Sequence, residues 1–512
     1  GNGWGALNRW HGDELSHEVA ELVHARTINP HYFMYGNIAF YRTAVGVVPA
    51  LAYGRLVDRP PATTDAAAYE AWLERHQARI ATWPRFVSAT EGVLLVLATY
   101  LIAALLFDRR VGLLAGVLLA LSPIAVYIAH VATADGFANL AYWLACLAAA
   151  LAWRQGGLRW LAVAALLAGV AFGTKTDRLL VLVPVAAAFA LHRREGWRHL
   201  RLLLLVPVGY VLANPVLLLH PFEFLDGLSR DMFFGAVQDP GGTDTYRLLL
   251  HYTRTGTGWP IFALAVAGVA YAVVCLARGR DRPQLAWLLA TFVPYYVVFG
   301  SKTVFPWYVG QLLPGLLIAA AYAAVRLADR VPRPYALPAR AALALLVLLG
   351  LLGPVSLVLQ FTHDPRDAAR RWIERSVPAG ATLFVSERGP WIRGSRYRVE
   401  LMLPDRQRWT ENLATPHDRL ESHRLYQRVR SSILASERWA GRNLGTPVRP
   451  EPYKGWYDVT LDDLAARPVA TERVRQARPD YVAIVEGMSP AVLEWIRAPG
   501  SGYAQVAEFR YR

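Results

Sequence analysis

Lysine is nearly missing from this chain. Of 54 Lys and Arg residues only Lys175, Lys302 and Lys454 are lysines, which leaves 51 arginines. Two of the three sit in near-identical tetrapeptides, GTKT (173–176) and GSKT (300–303), each at the end of an apolar run. Neither is a nucleotide-binding loop, because the Gly-x-x-x-x-Gly-Lys-Ser/Thr spacing is absent. Cysteine is as scarce: Cys146 and Cys275 both lie inside apolar runs, as small buried side chains do, and say nothing of redox compartment. There is no zinc-type Cys/His spacing, and nothing specifically points to a Ser-His-Asp arrangement. Apart from the Gly-Ser/Thr-Lys-Thr echo there is no internal repeat, and low complexity is confined to Ala/Leu-rich runs.

What is abundant is apolar residue. A hydrophobic content of 54%, 17 Trp and a mean hydropathy of +0.24 point to a polytopic membrane protein, where 512 residues alone would suggest about three soluble domains. The formal net charge of +15 would suit a nucleic-acid binder only if it lay along one face. Here the arginines fall in short clusters between apolar runs, the pattern of membrane topology, so no nucleic-acid partner is expected. A bilayer core takes about 20 apolar residues per helix. Ten runs qualify, near 86–107, 111–130, 137–153, 158–173, 179–192, 200–219, 259–277, 284–299, 307–326 and 341–361.

Alternate connectors carry DRR (108–110), RQGGLR (154–159), HRREGWRHLR (192–201), RGRDRP (278–283) and RLADRVPRPYALPAR (326–340), which the positive-inside rule places in the cytoplasm. The opposite set, VATAD (131–135), GTKTDR (173–178), a long loop near 220–258 and GSKTVFPWY (300–308), then faces outward, with everything after 361. The run 31–54 holds Asn37, Arg42 and Pro49 among aromatics and reads as an interfacial or re-entrant helix pair on the outer leaflet. Residues 1–85 thus form a first outward loop with interfacial helices, and an upstream span before Gly1 would give about eleven in all. From 362 the pattern changes to an amphipathic helix, a Pro-Gly turn and a strand, with strand-like stretches at 479–487 and 503–512. The expected fold is an all-α polytopic domain over 86–361 plus a small soluble α/β domain over 362–512.

The candidate chemistry lies on the outward connectors. Asp13 and Glu14, in WHGDELSH, start an amphipathic helix at 15–26, where acids are also favoured by the helix dipole. Asp135, five residues after His130 in IAHVATADGF, would otherwise be a helix cap. It and Asp177 are the only acids in short outward connectors, and ionisable groups at a membrane boundary are functional candidates. Lys175 and Lys302 share that face. Snorkelling would place them there without a task, and codon bias would account for Arg elsewhere, yet a compact ammonium suits a phosphate that gains charge during reaction. Arg178 closes GTKTDR, Arg85 stands in TWPRFVSA, and Tyr308 follows Trp307 in what is otherwise an aromatic belt.

Taken in order, His11-Gly-Asp13-Glu14, NPHYFMYGNIAFY, RFVSATEG, LSPIAVYIAHVATAD ending at Asp135, GTKTDRLLVLVP and KTVFPWYVGQLLP resemble the GT-C class of integral-membrane glycosyltransferases. The likeness, over about 11–361, is to the bacterial branch related to protein O-mannosyltransferases and the lipid A aminoarabinose transferase. The chain departs from it in carrying Ala129-His130 where many relatives have Ser before the basic residue. It also lacks a domain of the eukaryotic mannosyltransferase type.

The resemblance implies a phospholipid-carrier-dependent glycosyltransferase of the cytoplasmic membrane with an extracytoplasmic site. A hexosyl or pentosyl group would pass, with inversion, from a polyprenyl-phosphate donor to a hydroxyl of a lipid, glycan or protein acceptor. Asp13 would be the base, Asp135 the second-loop acid and Lys175 the contact to the lipid phosphate, with Lys302 beside it. Asp135, with His130 or Glu14, would either orient the sugar or, with Asp13, hold a divalent cation; the two stay open. The alternative class is a transporter or lipid flippase without chemistry, whose signatures are inverted repeats and polar groups at mid-membrane. Here the spans are nearly free of charge apart from Glu91 near one end, which favours an interfacial enzyme. A ligand sensor would need a cytoplasmic output module.

Overall fold

The structure, a computed structural model, describes residues 14–33, 35–61, 66–191, 193–237, 245–300, 305–386, 389–394, 396–402, 422–444, 446, 448, 470–484 and 490–510. In chain order the helices are α1 (Ser16–Ala25), α2 (Asn37–Val57), α3 (Ala66–Leu106), α4 (Arg109–Ala120), α5 (Pro123–His130), α6 (Ala134–Gln155), α7 (Leu158–Thr174), α8 (Leu182–Leu191) and α9 (Leu205–Ala213). They continue with α10 (Val216–Leu219), α11 (Pro221–Val237), α12 (Thr245–Thr257), α13 (Trp259–Ala277), α14 (Arg282–Phe299), α15 (Leu313–Ala328), α16 (Arg333–Gly350), α17 (Leu352–Thr362) and α18 (Pro365–Ser376). Strands β1 (Thr382–Ser386) and β2 (Arg398–Met402), helices α19 (Arg424–Leu444) and α20 (Ala470–Ala477), strand β3 (Tyr481–Ala483) and α21 (Pro490–Arg497) follow. Tight 3-10 turns at Thr176–Val181, Arg193–Leu204 and Pro306–Gln311 join neighbouring helices.

This is an all-α polytopic membrane fold with a small mixed region, and the described residues of each of the ten apolar runs are mostly helical. Among the described residues, Ala71–Leu106, Ala134–Gln155, Trp259–Ala277 and Arg333–Ser376 are long and apolar enough to cross a bilayer. A fifth candidate is α4 with α5, bent by 64°. The run 111–130 is therefore not one straight span: Ser122 is extended and Pro123 opens the second half, as the residue before proline is driven out of helix. The run 200–219 is likewise broken, by Asn214 and Pro215. In place of a helix pair at 31–54 there is one helix, α2, with Pro49 inside it.

The chain divides into two compact units, Gly1–Glu14 with Val47–Trp83 and Leu359–Arg512, and Leu15–Gly46 with Pro84–Val358. In the second unit the core is built from α3 to α9 and α12 to α15, with Trp143, Tyr142, Trp287 and Tyr295 wholly enclosed. Buried aromatic polar atoms find partners and so pin helices together. Tyr142 OH donates to the Thr291 carbonyl at 2.7 Å, Trp143 Nε1 to that of Gln311 at 3.1 Å and Trp287 Nε1 to that of Pro184 at 3.0 Å. Both cysteines are free and buried. Large apolar side chains such as Val93, Val266, Val297 and Leu348 are exposed, as surfaces facing hydrocarbon are.

In the first unit a three-stranded parallel sheet has the order β2-β1-β3, with Thr382 opposite Arg398 and Leu383 opposite Tyr481. Side chains alternate along β1. Leu383 and Val385 pack with Ile373 and Tyr397 on one face, and Phe384 packs with Val474 and Val492 on the other. Burial on both faces explains the nearly unbroken apolar run. Of the strand expected at 503–512, residues 503–510 join no sheet among the described residues, and Tyr503 OH instead donates to the Pro479 carbonyl at 2.8 Å.

Candidate active site

Helix α7 ends where Lys175 turns extended, at φ −153°, its amide still reaching the Ala171 carbonyl at 3.2 Å. The 3-10 turn that follows carries Thr176, Asp177 and Arg178. From a different connector, Thr133 is extended and α6 begins at Ala134, so that Asp135 stands in its first turn, with Asn139 one turn on along the same face. The two helix ends meet. Lys175 Nζ donates to Asp135 Oδ1 at 2.7 Å. Arg178 Nη2 reaches the same oxygen at 3.4 Å and Asn139 Oδ1 at 2.9 Å, and its Nη1 pairs with Asp177. Tyr295 OH donates to Asp177 Oδ2 at 3.0 Å from α14. Arg178 is wholly buried, Asp135 is 1% exposed and Lys175 8%.

The ammonium of Lys175 lies 4.8 Å from the Tyr308 ring centre and 5.7 Å from that of Tyr35, a pair of aromatic faces that favour a cation. Burial alone would lower this lysine. The Asp135 carboxylate, helped by Tyr308 and Asp177, outweighs that and holds it above the ordinary lysine value, so it keeps its charge throughout the neutral range. Beside it, Thr176 Oγ1 donates to Asp231 Oδ2 at 3.2 Å. Burial pushes the Asp231 carboxyl up to about 7, against the Thr176 hydrogen bond and the Lys175 charge and with the help of Asp177. Tyr35, Thr176, Asp177, Asp231 and Tyr308 are half-buried, whereas Lys175 and Arg178 are buried.

Of the residues singled out in the sequence, Asp135, Lys175, Arg178 and Tyr308 are thus brought together. Arg85 is buried in α3 and acts electrostatically on His130, whose Nδ1 meets the Val126 carbonyl of its own helix at 2.7 Å. Glu14 is buried just ahead of α1. Asp13 and Lys302 lie outside the described residues. Sequence reasoning missed Asn139, Tyr295, Asp231 and Tyr35 as members of this cluster. Only Asn139 carried a signal, its spacing of four residues from Asp135 on a helix. Among the described residues no three His, Cys, Asp or Glu side chains converge as a metal site. Asp135 Oδ1 already faces two cations, so a divalent ion at that oxygen would meet repulsion.

Comparison with solved structures gives the fold. ArnT from Cupriavidus metallidurans bound to undecaprenyl phosphate superposes with a TM-score of 0.51 at 16% identity, covering 77% of this chain and 82% of that one. Its apo form gives 0.49 at 18% identity, over 78% and 83%. The oligosaccharyltransferase of Archaeoglobus fulgidus gives 0.43 at 15%, over 77% of this chain and 62% of that one. The chain has the fold of the GT-C class of integral-membrane glycosyltransferases. Residues 75–219 match the model of the dolichyl-phosphate-mannose-protein mannosyltransferase family. No curated protein sequence matches the chain.

Proposed function

We propose that this chain transfers a hexosyl or pentosyl group from a polyprenyl-phosphate-linked donor to an acceptor hydroxyl, with inversion, at the outer face of the cytoplasmic membrane. The observation that carries the reading is the buried Lys175–Asp135–Arg178 cluster, an ammonium held in its charged form among half-buried polar side chains. It is supported by the likeness to ArnT, which binds undecaprenyl phosphate, and by the family match. In this scheme 1–85 is the first outward loop, 86–361 the transferase domain and 362–512 a soluble outward domain.

As the acceptor oxygen attacks the anomeric carbon, the bond from that carbon to the phosphate oxygen breaks and the carrier phosphate leaves with one more negative charge. An ammonium that binds this charge better than the donor's lowers the barrier. Lys175 takes that role, Arg178, itself held by Asn139, fixes the Asp135 carboxylate that keeps it charged, and Lys302 would add a second cation. Asp13 takes the acceptor's proton. Glu14 assists Asp13 in catalysis, His130, Arg85 and Tyr308 bind the donor, and Asp135 orients the sugar. The acceptor is a lipid, glycan or protein hydroxyl.

The test is transfer of labelled sugar from a synthetic polyprenyl-phosphate donor by membranes containing the protein. Asp13→Asn is expected to abolish turnover, and Lys175→Ala to lower it about 100-fold to 1,000-fold, as loss of one charge-stabilising donor does. Near-normal transfer by Asp13→Asn would remove the base assignment, and an unchanged rate in Lys175→Ala would reduce that lysine to an anchor.

A further inference from the structure

Arg42 lies in the N-terminal part of α2 and is 6% exposed. A guanidinium taken out of water is costly unless its hydrogen bonds and charge are compensated. Nη1 donates to Ser88 Oγ at 2.9 Å and faces Glu91 Oε2 at 3.4 Å, while Nη2 donates to the Thr133 carbonyl. Ser88 and Glu91 stand three residues apart on α3 and so share a face. Gly136 gives Glu91 its room, since a Cβ there would lie 2.9 Å from Glu91 Oε2. Thr133 is the extended residue from which α6 starts, two before Asp135, so whatever holds its carbonyl sets where the turn bearing Asp135 begins.

The same segment reaches the other member of the ion pair. Gly36 N donates to the Thr174 carbonyl at 2.8 Å, and a Cβ on Gly36 would come within 1.9 Å of the Gly173 carbonyl oxygen. Asn37 N donates to Asn214 Oδ1 at 3.0 Å, and Asn214 Nδ2 donates to the Gly173 carbonyl at 2.8 Å. Tyr35 presents its ring to the Lys175 ammonium. Residues 35–42 therefore hold the backbone next to Lys175 at one end and next to Asp135 at the other.

We propose that residues 35–42 are a strut that sets the Lys175–Asp135 separation, with Arg42 as the positioning residue at the Asp135 end. Arg42 touches neither Lys175 nor, in this scheme, the reacting atoms; it acts through the Thr133 carbonyl and through its charge, which lies within electrostatic reach of Asp135. Its effect on turnover rests on the function proposed above, whereas its effect on the ion pair does not.

The scarcity of lysine makes the ion pair measurable. Purified protein in detergent micelles is treated with acetic anhydride, and acetylation of Lys175 is followed by peptide mass spectrometry against Lys454 as internal reference. Arg42→Gln is expected to raise the Lys175 rate several-fold. It should also lower kcat for donor about 100-fold, the scale of a 1 Å misplacement, with KM changed far less. Arg42→Lys, which keeps charge but loses the planar fork, should fall between wild type and Arg42→Gln. Should Arg42→Gln fail to fold, Ser88→Ala, which removes one hold on the guanidinium, is expected to show the same changes in smaller degree. Unchanged Lys175 acetylation in a folded Arg42→Gln, or in Ser88→Ala where Arg42→Gln does not fold, would overturn the strut. Faster acetylation in a protein that transfers no sugar would uphold the strut and reject the proposed activity.

Discussion

Asp231 places a titratable acid against the cation that the proposed chemistry depends on. It faces Thr176, which donates to it, and lies within electrostatic reach of Lys175, Asp177, Tyr210 and Tyr308. An unfolded Asp titrates near 3.9, and burial lifts this one to about 7. Between those values the folded chain binds the extra proton and the unfolded chain does not, so stability falls as pH rises through the window, by at most about 1.4 kcal/mol for each pH step of one. Melting temperatures of the purified protein should therefore decline from pH 5 to 8, and Asp231→Asn, which keeps the hydrogen bond from Thr176 without the charge, should flatten that decline. Deprotonation also adds a further anion near Lys175, beyond Asp135 and Asp177, so donor KM should rise above pH 7 in the wild type and stay level in the variant. A slope unchanged by the substitution would mean that other groups carry the pH dependence.

Helix α7 has to bring Lys175 to a fixed depth, and its packing against α9 does so through glycine. A Cβ at Gly169 would lie 1.9 Å from the Val206 carbonyl oxygen, and one at Gly209 would lie 2.0 Å from that of Leu166. Backbone this close leaves no side chain that could give way, the close-contact device of helices in lipid. Gly169→Ala should cost at least the ~1–3 kcal/mol of an overpacked core, read as a fall in melting temperature in detergent and in yield from membranes. Gly116→Ala in α4 is the control: its nearest neighbour would be 3.6 Å away, and alanine is the better helix former by about 1 kcal/mol. Equal stability of the two variants would show that α7 and α9 can part freely.

At the scale of the whole chain, the apolar runs were legible because the length of a lipid-spanning helix is set by the bilayer. Their breaks at Ser122-Pro123 and Asn214-Pro215 were written in the proline positions but hidden by hydropathy. The stretch 503–510 had the composition of a strand but pairs with none among the described residues, and a strand exists only through its neighbour. Asp135, Lys175, Arg178 and Tyr308 stood out because they occupy short connectors between apolar runs, whereas Arg42, Tyr295 and Asp231 come from helix interiors, where facing depends on packing that periodicity does not disclose. Sidedness is a matter for experiment, and five Arg-rich connectors predict it.

With Cys146 and Cys275, both buried, replaced by alanine, single cysteines can be placed at Ile28, 54% exposed between α1 and α2, and at Arg280, exposed between α13 and α14. A membrane-impermeant maleimide should label Ile28→Cys in intact cells and Arg280→Cys only after permeabilisation. The reverse pattern would turn the connectors bearing Asp135 and Lys175 toward the cytoplasm, and with them the face at which a carrier phosphate would have to be met.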